Sequence, residues 1–210
     1  MVSIKDLKVG QLDTNCYLLS DNKNNTIIID PGDSADYIEN IISDCELTPK
    51  MIIATHGHFD HIMGAFEIQE AYNIPFFIKK EDDFLVKGMK NSAAYFLGIN
   101  KGIYPPRNIK YLKNKVSFGC LDIEVIHTPG HTPGSVLLNL KSEKKAFCGD
   151  LIFKNNCVGR YDFSYSSLSD LKKSVKKVLS LPLETDIYPG HYEKFILSDI
   201  KDYLGHFIQK

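Results

Sequence analysis

The chain has 210 residues, 43% of them hydrophobic, and this length and composition predict a single domain, residues 1–210, with a sizeable core. The 25 basic and 26 acidic residues nearly cancel and the lysines are spread out, which excludes the charged surface of a protein that binds nucleic acid or anionic lipid. No apolar run is long enough to cross a bilayer, no leader-like run opens the chain, and the five cysteines form no C-x-x-C pair, so we expect a soluble cytoplasmic protein.

The first half of the chain alternates strand-like and helix-like segments. "CYLLSD" and "NTIIID" are β-branched or aromatic runs on either side of an Asn-rich turn, which predicts a hairpin over residues 16–30. Ile38, Ile41 and Ile42 follow with helical spacing behind Ser34, which predicts an amphipathic helix capped by that serine. A buried strand, "KMIIAT", a helix, "HIMGAFEIQEAY", and another strand, "PFFIK", come next.

The second half is richer in strands. "NKVSFG", "LDIEVIHT", "SVLLNLK" and "KAFCGD" predict successive antiparallel strands, and "LSDLKKSVKKVLSL" predicts a helix with one apolar face. "TDIYPG" predicts a last strand before a C-terminal helix. Because both halves combine strands with helices, we predict an α+β fold in which two β-sheets pack face to face, with helices on both outer sides.

Four titratable residues follow the buried strand "KMIIAT" within a few positions: His56, His58, Asp60 and His61. Alternate residues at a strand end share one side, so His56 and His58 can reach a common point, while Asp60 and His61 turn toward a second point nearby. Imidazole and carboxylate groups at this spacing suit zinc or another divalent metal. The ordinary alternative is that these histidines are polar turn residues. They would gain no stability in that role, because the N-terminus of a helix repels a protonated histidine.

Three further candidates each stand at the end of a strand-like run: His131 in "IHTPGHTPGS", Asp150 in "AFCGD" and His191 in "IYPGH". Taken alone, each of them is more typical of an ordinary loop or turn residue. Strand ends along one edge of a sheet converge in space, however, and loops at such an edge commonly carry chemistry. We therefore expect seven ligands to gather at one edge of the fold.

With these residues in place, the sequence resembles the metallo-β-lactamase-fold hydrolases, and among them the short glyoxalase II-like proteins. "THGHFDH" matches the family motif H-x-H-x-D-H, and the three later candidates match the family's remaining ligands in order. The resemblance spans nearly the whole chain and includes "TNCYLL", "IIDPG", "HTPGHTPGS", "FCGDLIF", "VGRYDF" and "YPGH".

The resemblance implies an αββα four-layer sandwich and two divalent metal ions, zinc in the first place and iron or manganese as alternatives. It implies that His56, His58 and His131 hold the first metal, that Asp60, His61 and His191 hold the second, and that Asp150 bridges them. Asp60 and Asp150 are the implied catalytic residues of a hydrolase that attacks with a metal-activated hydroxide. The implied substrate is a small acyl thioester, such as an acyl-glutathione.

Two positions outside the ligand set have a second interpretation. Asp30, after "TIIID", is a candidate to orient a histidine ligand from behind, although Asp before Pro-Gly is also an ordinary turn starter. Arg160 is a candidate substrate contact, but a local ion pair with Asp162 is the favoured interpretation. His127 and Cys148 lie near the predicted ligands, and we expect a structural histidine and a packed thiol.

The sequence also departs from the resemblance at two places. Tyr192 opens a bulky segment, "YEKF", where glyoxalase II-like proteins continue as Gly-Pro-x-Thr, and only about twenty residues follow His191, room for one helix. This segment is too short to form much of a substrate-binding wall, and we expect residues 81–108 to form that wall instead. Tyr95, Phe96 and Tyr104 are its candidate contacts, although aromatic residues at this spacing are more typical of a core.

Two rival classes remain open. One is an oxidoreductase on the same scaffold, such as a persulfide dioxygenase, which holds a single iron with two histidines and an aspartate. The other is a non-catalytic metal-binding module. The sequence favours the hydrolase, predicts a small-molecule partner without nucleic acid or membrane, and leaves the oligomeric state open.

Overall fold

The computed structural model describes residues 2–99 and 101–209. The first half of these forms a six-stranded sheet, with the strands in the same order in space as in sequence. Its strands are β1 (Ser3–Val9), β2 (Thr14–Ser20), β3 (Asn25–Ile29), β4 (Thr48–Ile53), β5 (Phe76–Ile78) and β6 (Ile109–Tyr111). The helices of this half are α1 (Ala35–Asp44), α2 (Phe59–Ile62), α3 (Ala65–Tyr72) and α4 (Asp83–Leu97), with a 3-10 turn at Lys80–Asp82.

The second half forms another six-stranded sheet and two helices. Its strands are β7 (Lys115–Phe118), β8 (Leu121–His127), β9 (Val136–Leu140), β10 (Lys145–Gly149), β13 (Asp186–Pro189) and β14 (Phe195–Ile196), in the spatial order β14-β13-β10-β9-β8-β7. A separate two-stranded hairpin consists of β11 (Ile152–Phe153) and β12 (Cys157–Val158). The helices are α5 (Leu168–Leu179) and α6 (Lys201–Gln209), and 3-10 turns lie at Lys141–Glu143 and Leu197–Ile200.

Successive side chains of a strand point to opposite faces of its sheet, and this divides the apolar side chains into three layers. In β2, Leu18 packs into the cluster shared with α1, α3 and α4, whereas its neighbour Leu19 packs into the cluster between the two sheets. In β10, Phe147 packs between the sheets and Cys148 packs against α5. Burial of each large apolar side chain contributes roughly 1.5–3 kcal/mol. These three apolar layers confirm the predicted sandwich of two sheets with helices on both outer sides.

The predicted hairpin over residues 16–30 is confirmed, because β2 pairs antiparallel with β3, with Tyr17 opposite Ile29. The proposed serine cap of α1 is wrong. Ser34 does stand at the N-cap position, but its left-handed backbone, with φ 54°, leaves no side-chain capping bond, and its hydroxyl accepts a hydrogen bond from the amide of Gly10 instead.

The helix expected over "HIMGAFEIQEAY" is divided into α2 and α3. The division falls at Gly64, whose amide donates to the carbonyl of Pro31 rather than continuing the helical ladder. The structure also adds β1 and the long helix α4, which the hydrophobic pattern did not single out. No helix among residues 2–99 and 101–209 is long and apolar enough to cross a membrane.

Parallel pairing sets where the loops converge. β3 pairs parallel with β4 in the first sheet, and β10 pairs parallel with β13 in the second. Parallel neighbours end on the same side of a sheet, so the segments that follow these strands lie together at one edge of the sandwich. Asp30, His56, Asp150 and His191 all lie in those segments.

Candidate metal centre

The structure brings all seven predicted ligands to one edge of the sandwich, and both sheets contribute to the set. His56 follows β4, His58 directly precedes α2, and Asp60 and His61 lie within α2. The other three follow strands of the second sheet: His131 lies between β8 and β9, Asp150 follows β10, and His191 follows β13.

Three histidines form the first group. Nδ1 of His58 lies 3.1 Å from Nε2 of His56 and 3.0 Å from Nε2 of His131. All three nitrogens therefore point at a common centre, as three ligands of one ion would.

Asp60, His61 and His191 form the second group. Oδ2 of Asp60 lies 3.3 Å from Nε2 of His191 and 3.9 Å from Nε2 of His61. Asp150 stands between the two groups, with Oδ2 3.7 Å from Nε2 of His131 and 3.6 Å from Nε2 of His191. One carboxylate thus reaches both groups.

Groups behind the histidines select which ring nitrogen points inward. Nδ1 of His61 faces the Asp30 carboxylate at 3.0 Å, Nδ1 of His131 faces the carbonyl of Arg160 at 2.7 Å, and Nδ1 of His191 faces the carbonyl of Leu12 at 3.1 Å. These oxygens can only accept, so each Nδ1 carries the proton and each Nε2 presents a lone pair to the centre.

His56 and His58 are oriented through hydroxyl groups. Oγ1 of Thr55 donates to Asp30 at 2.6 Å and lies 3.1 Å from Nδ1 of His56, so it can accept the proton of that ring. Nε2 of His58 lies 2.9 Å from the hydroxyl of Tyr165, which leaves Nδ1 for the centre. Asp30 therefore supports two histidines, in the position that the sequence suggested for it.

The polar atoms of the centre fit metal ions. Nε2 of His61 and Oδ1 of Asp150 are buried without a hydrogen-bond partner, although they lie only 3.4 Å apart. Buried polar atoms normally have a partner, and a divalent cation would satisfy both of these. The donor set, imidazole nitrogens with carboxylate oxygens, is one that zinc, iron and manganese accept.

Charge in the centre is arranged for a cation. Burial lowers the pKa of His58 to about 3, which keeps its ring neutral as a ligand must be. Burial acts to raise the pKa of Asp150, but the neighbouring His61 and His191 hold it well below its usual range, so this carboxylate stays ionised. Burial likewise opposes a proton on His61, yet Asp150, Asp60 and Asp30 raise its pKa well above the usual value. The three carboxylates around His61 therefore favour a positive charge at its Nε2, either a proton or the metal ion that would replace it.

A cavity of about 510 Å³ opens directly onto the ligands. Phe153, Val158, Phe163 and Tyr165 provide much of its apolar lining, and the rings of Phe163 and Tyr165 are stacked at 5.3 Å. A pocket of this size accommodates a small molecule beside the ligands.

The structure places only some of the predicted wall residues in this cavity. Phe96, Arg160 and Tyr192 line it. Tyr95 and Tyr104 do not, which corrects the expectation for both. The ring of Tyr95 is 83% exposed and lies edge to face against the ring of Phe96, with centroids 4.9 Å apart, outside the cavity. Tyr104 packs against Phe66 instead, with ring centroids 5.0 Å apart.

The turn that carries His191 is held by residues of β2, near the start of the sequence. Nδ2 of Asn15 donates to the carbonyls of Pro189 and Tyr192, each at 2.9 Å. The amide of Asn15 also donates to the carbonyl of Gly190 at 2.7 Å, and the hydroxyl of Tyr17 donates to Pro189 at 2.6 Å. The "TNCYLL" segment thus fixes the turn that carries His191.

Two nearby groups are structural, as expected. Nε2 of His127 bonds the carbonyl of Pro133 at 2.8 Å, and His127 belongs to neither ligand group. Cys148 packs into the layer beside α5, and burial raises the pKa of its thiol to about 12. The sequence analysis did not single out Tyr165, which bonds His58, and only its position close to "VGRYDF" could have indicated it.

The fold and the site together define a class of protein. A sandwich of two sheets between helices, with five histidines and two aspartates gathered at one edge, is the framework of a metal-dependent enzyme. Residues 9–191 match the Metallo-beta-lactamase superfamily, and the chain belongs to that family.

Relatives and solved structures agree with this membership. The chain is 31% identical over 188 residues to hydroxyacylglutathione hydrolase GloC of Haemophilus influenzae, with 89% of this chain and 88% of that protein covered. It is 32% identical over 188 residues to the probable metallo-hydrolase YqgX of Bacillus subtilis, with 88% of each covered.

Among solved structures, the BLEG-1 B3 metallo-beta-lactamase superposes with a TM-score of 0.88 at 27% identity, over 98% of this chain and 99% of that one. TTHA1623 in a di-iron-bound form superposes with a TM-score of 0.85 at 31% identity, over 93% of this chain and 96% of that one.

Proposed function

We propose that this chain hydrolyses the thioester between a small acyl group and a low-molecular-weight thiol, such as an acyl-glutathione, with two divalent metal ions, zinc in the first place. The main support for this proposal is that both ligand groups, joined by Asp150, open onto one apolar cavity. The likeness to GloC supports the substrate class, and the likeness to di-iron-bound TTHA1623 supports two ions.

The chain's own residues would divide the work as follows. Two bound divalent ions would acidify a water molecule at neutral pH and stabilise negative charge on the carbonyl oxygen and the leaving thiolate. Asp60 lies in the cavity wall and, although burial opposes ionisation, His61 and His191 lower its pKa, so it stays ionised and can accept a hydrogen bond that orients the attacking water. Phe163 and Tyr165 would hold the acyl group and exclude bulk water.

The thiol carrier meets little fixed positive charge. Arg160 is the one lysine or arginine among the described residues that line the cavity. Its Nε and Nη2 already bond Asp162 at 3.0 and 2.9 Å, and its guanidinium lies 4.4 Å above the ring of Phe163. The ion pair that the sequence favoured is therefore present, and an anionic carrier has to compete with Asp162. We infer a high KM for acyl-glutathione substrates.

Asp162→Asn is expected to lower the KM for an acyl-glutathione by about two- to fivefold, with kcat unchanged, because exposed ion pairs are weak and an anionic carrier would no longer compete with Asp162 for Arg160. The measurement is steady-state thiol release. Glu184→Gln, which removes a similarly exposed partner of Lys144, is the matched control and should leave KM as it is. An unchanged KM in Asp162→Asn would show that Arg160 does not meet the carrier.

The proposed function is tested by thiol release from lactoyl-glutathione under nitrogen, with and without chelator, beside a matched oxygen ester. We expect chelator-sensitive cleavage without oxygen, faster for the thioester because a thiolate is the better leaving group, from protein that carries close to two metals per chain.

Other outcomes would identify the rivals. One iron per chain, with oxygen-dependent sulfite formation from glutathione persulfide and no thioester cleavage, would replace the proposal by a dioxygenase. Two metals without turnover of any ester would indicate a metal-binding module. A β-lactam belongs in the same assay, because BLEG-1 is named as a β-lactamase, and cleavage of that substrate alone would also overturn the proposal.

We further propose that the protein acts in the cytoplasm on a small molecule, without nucleic acid or membrane as a partner. All five cysteines are free thiols, which suits a reducing compartment. The near-neutral net charge of -1 supports the absence of a polyanionic partner.

A further inference from the structure

Asp82 is a buried carboxylate that takes no part in the metal-binding groups. It closes the 3-10 turn at Lys80–Asp82, directly before α4, and its side chain is fully buried. Its partners are all neutral donors. Oδ2 accepts from the amide of Gly57 at 2.8 Å and from the hydroxyl of Thr132 at 2.7 Å, and Oδ1 accepts from the amide of Gly134 at 2.6 Å.

These three donors belong to two different ligand loops. Gly57 lies between His56 and His58, in the loop that follows β4 of the first sheet. Thr132 and Gly134 follow His131, in the loop between β8 and β9 of the second sheet. One carboxylate therefore bonds both segments that supply the three-histidine group.

The two glycines that donate to Asp82 have no space for a side chain of their own. A Cβ atom added at Gly134 would lie 2.6 Å from Cγ of Asp82, and one added at Gly57 would lie 3.0 Å from Cβ of Asp82 and 2.9 Å from Cβ of Leu85. Such distances are well inside van der Waals contact. Both glycines are therefore required for the loops to approach the carboxylate closely enough to donate their amides to it.

Asp30 is a second buried carboxylate that bonds a ligand loop. Its carboxylate accepts from the amide of Thr55 at 2.7 Å and faces His61, which belongs to the second group. Asp30 therefore supports one ligand of each group, His61 directly and His56 through Thr55. Asp30 touches a ligand ring, whereas Asp82 acts entirely through the backbone and one hydroxyl.

We propose that Asp82 is the positioning residue of the three-histidine site: it ties the His56–His58 loop to the His131 loop and so sets the spacing of the three ring nitrogens. The spacing concerned is the 3.0–3.1 Å between Nδ1 of His58 and its two neighbours. Buried charge-assisted hydrogen bonds are strong and directional, so a carboxylate at this point holds the two loops in one register.

Asp82→Asn tests this role, because a carboxamide offers one acceptor oxygen and turns an N–H group toward the remaining donors. Zinc affinity is measured for each site alone by competition with a chromophoric chelator: in a His191→Ala background for the three-histidine site, and in a His58→Ala background for the second group. We expect Asp82→Asn to weaken the three-histidine site by about 10- to 100-fold, as loss of a supporting group typically does, and the second site by less than about threefold.

Amide hydrogen exchange in metal-free protein gives a second readout, which depends on neither activity nor metal. Exchange at Gly57 and Gly134 should become faster in Asp82→Asn and stay the same in the matched control Asp83→Asn. Asp83 is the half-buried neighbour that accepts a hydrogen bond from the hydroxyl of Tyr111, and its replacement by asparagine removes the same charge.

If Asp82→Asn fails to fold, Thr132→Val replaces it, since it removes only the hydroxyl donor and should weaken the same site by a smaller factor. Equal weakening of both sites, or unchanged zinc affinity together with unchanged amide exchange, would overturn the proposal. Neither measurement involves thioester cleavage, so failure here is distinct from failure of the proposed function.

Discussion

Replacing Asp150 with alanine is expected to lower metal occupancy at both positions together and to abolish most thiol release. Its Oδ1 lies 3.4 Å from His61, and its Oδ2 faces both His131 and His191, so its removal takes a ligand from each group. Supporting groups behind metal ligands already cost about 10- to 100-fold in affinity or activity, and loss of a shared ligand should exceed this range. Elemental analysis and steady-state rates are the measurements.

His191→Ala is the informative comparison, because His191 belongs to the second group alone and should empty mainly that position. Asp122→Ala, an exposed aspartate on β8 that pairs with Lys115, should change neither occupancy nor rate. Loss of the same single metal from both Asp150→Ala and His191→Ala would show that Asp150 does not join the two positions.

Gly190→Ala is expected to disrupt the centre as severely as removal of a ligand. A Cβ atom at this position would collide with Oδ1 of Asp150 and lie 2.6 Å from Cε1 of His61. His61 is fully buried and cannot move aside, so the collision has to be relieved by displacing Asp150 or the His191 turn. Overpacking of this kind costs about 1–3 kcal/mol. We expect loss of the second metal and a Tm lower by roughly 2–4 °C per kcal/mol.

Gly88→Ala is the matched control for this substitution. Gly88 lies within α4, and an added Cβ atom there meets nothing within 4 Å. Because alanine is favoured over glycine inside a helix by up to about 1 kcal/mol, Gly88→Ala should raise Tm slightly and keep both metals. Retention of both metals and of full activity in Gly190→Ala would contradict the close contact beside Asp150.

The gathering of the ligands was predictable because each one follows an apolar run that ends in a turn. Such runs mark strand ends in the sequence itself, and the two-sheet arrangement then brings those ends together. Asp30 could be suspected for the same reason, since it directly follows β3. What the sequence alone could not supply was the spacing of the ring nitrogens, which depends on the loops packed behind them.

Residues that act through tertiary contacts escaped prediction. In "KKEDDFLV", acidic residues before an apolar run are typical of an exposed first helical turn, and nothing local distinguishes the fully buried Asp82 from the half-buried Asp83. The difference arises only because two loops from distant parts of the chain donate to Asp82. Tyr95 and Tyr104 show the converse, since aromatic character did not reveal which direction a side chain faces.

The bonds between Asn15 and the turn at Pro189–Tyr192 have a consequence for biosynthesis. Asn15 leaves the ribosome early, but the carbonyls that it holds are made 174 and 177 positions later. Contacts so distant in sequence form late and slow the final assembly of a fold. Only the second ligand group contains His191, so it is completed long after the three histidines of the first group have emerged. A nascent chain that has not reached this turn therefore cannot retain both ions, and the second ion would be bound only after the turn has formed.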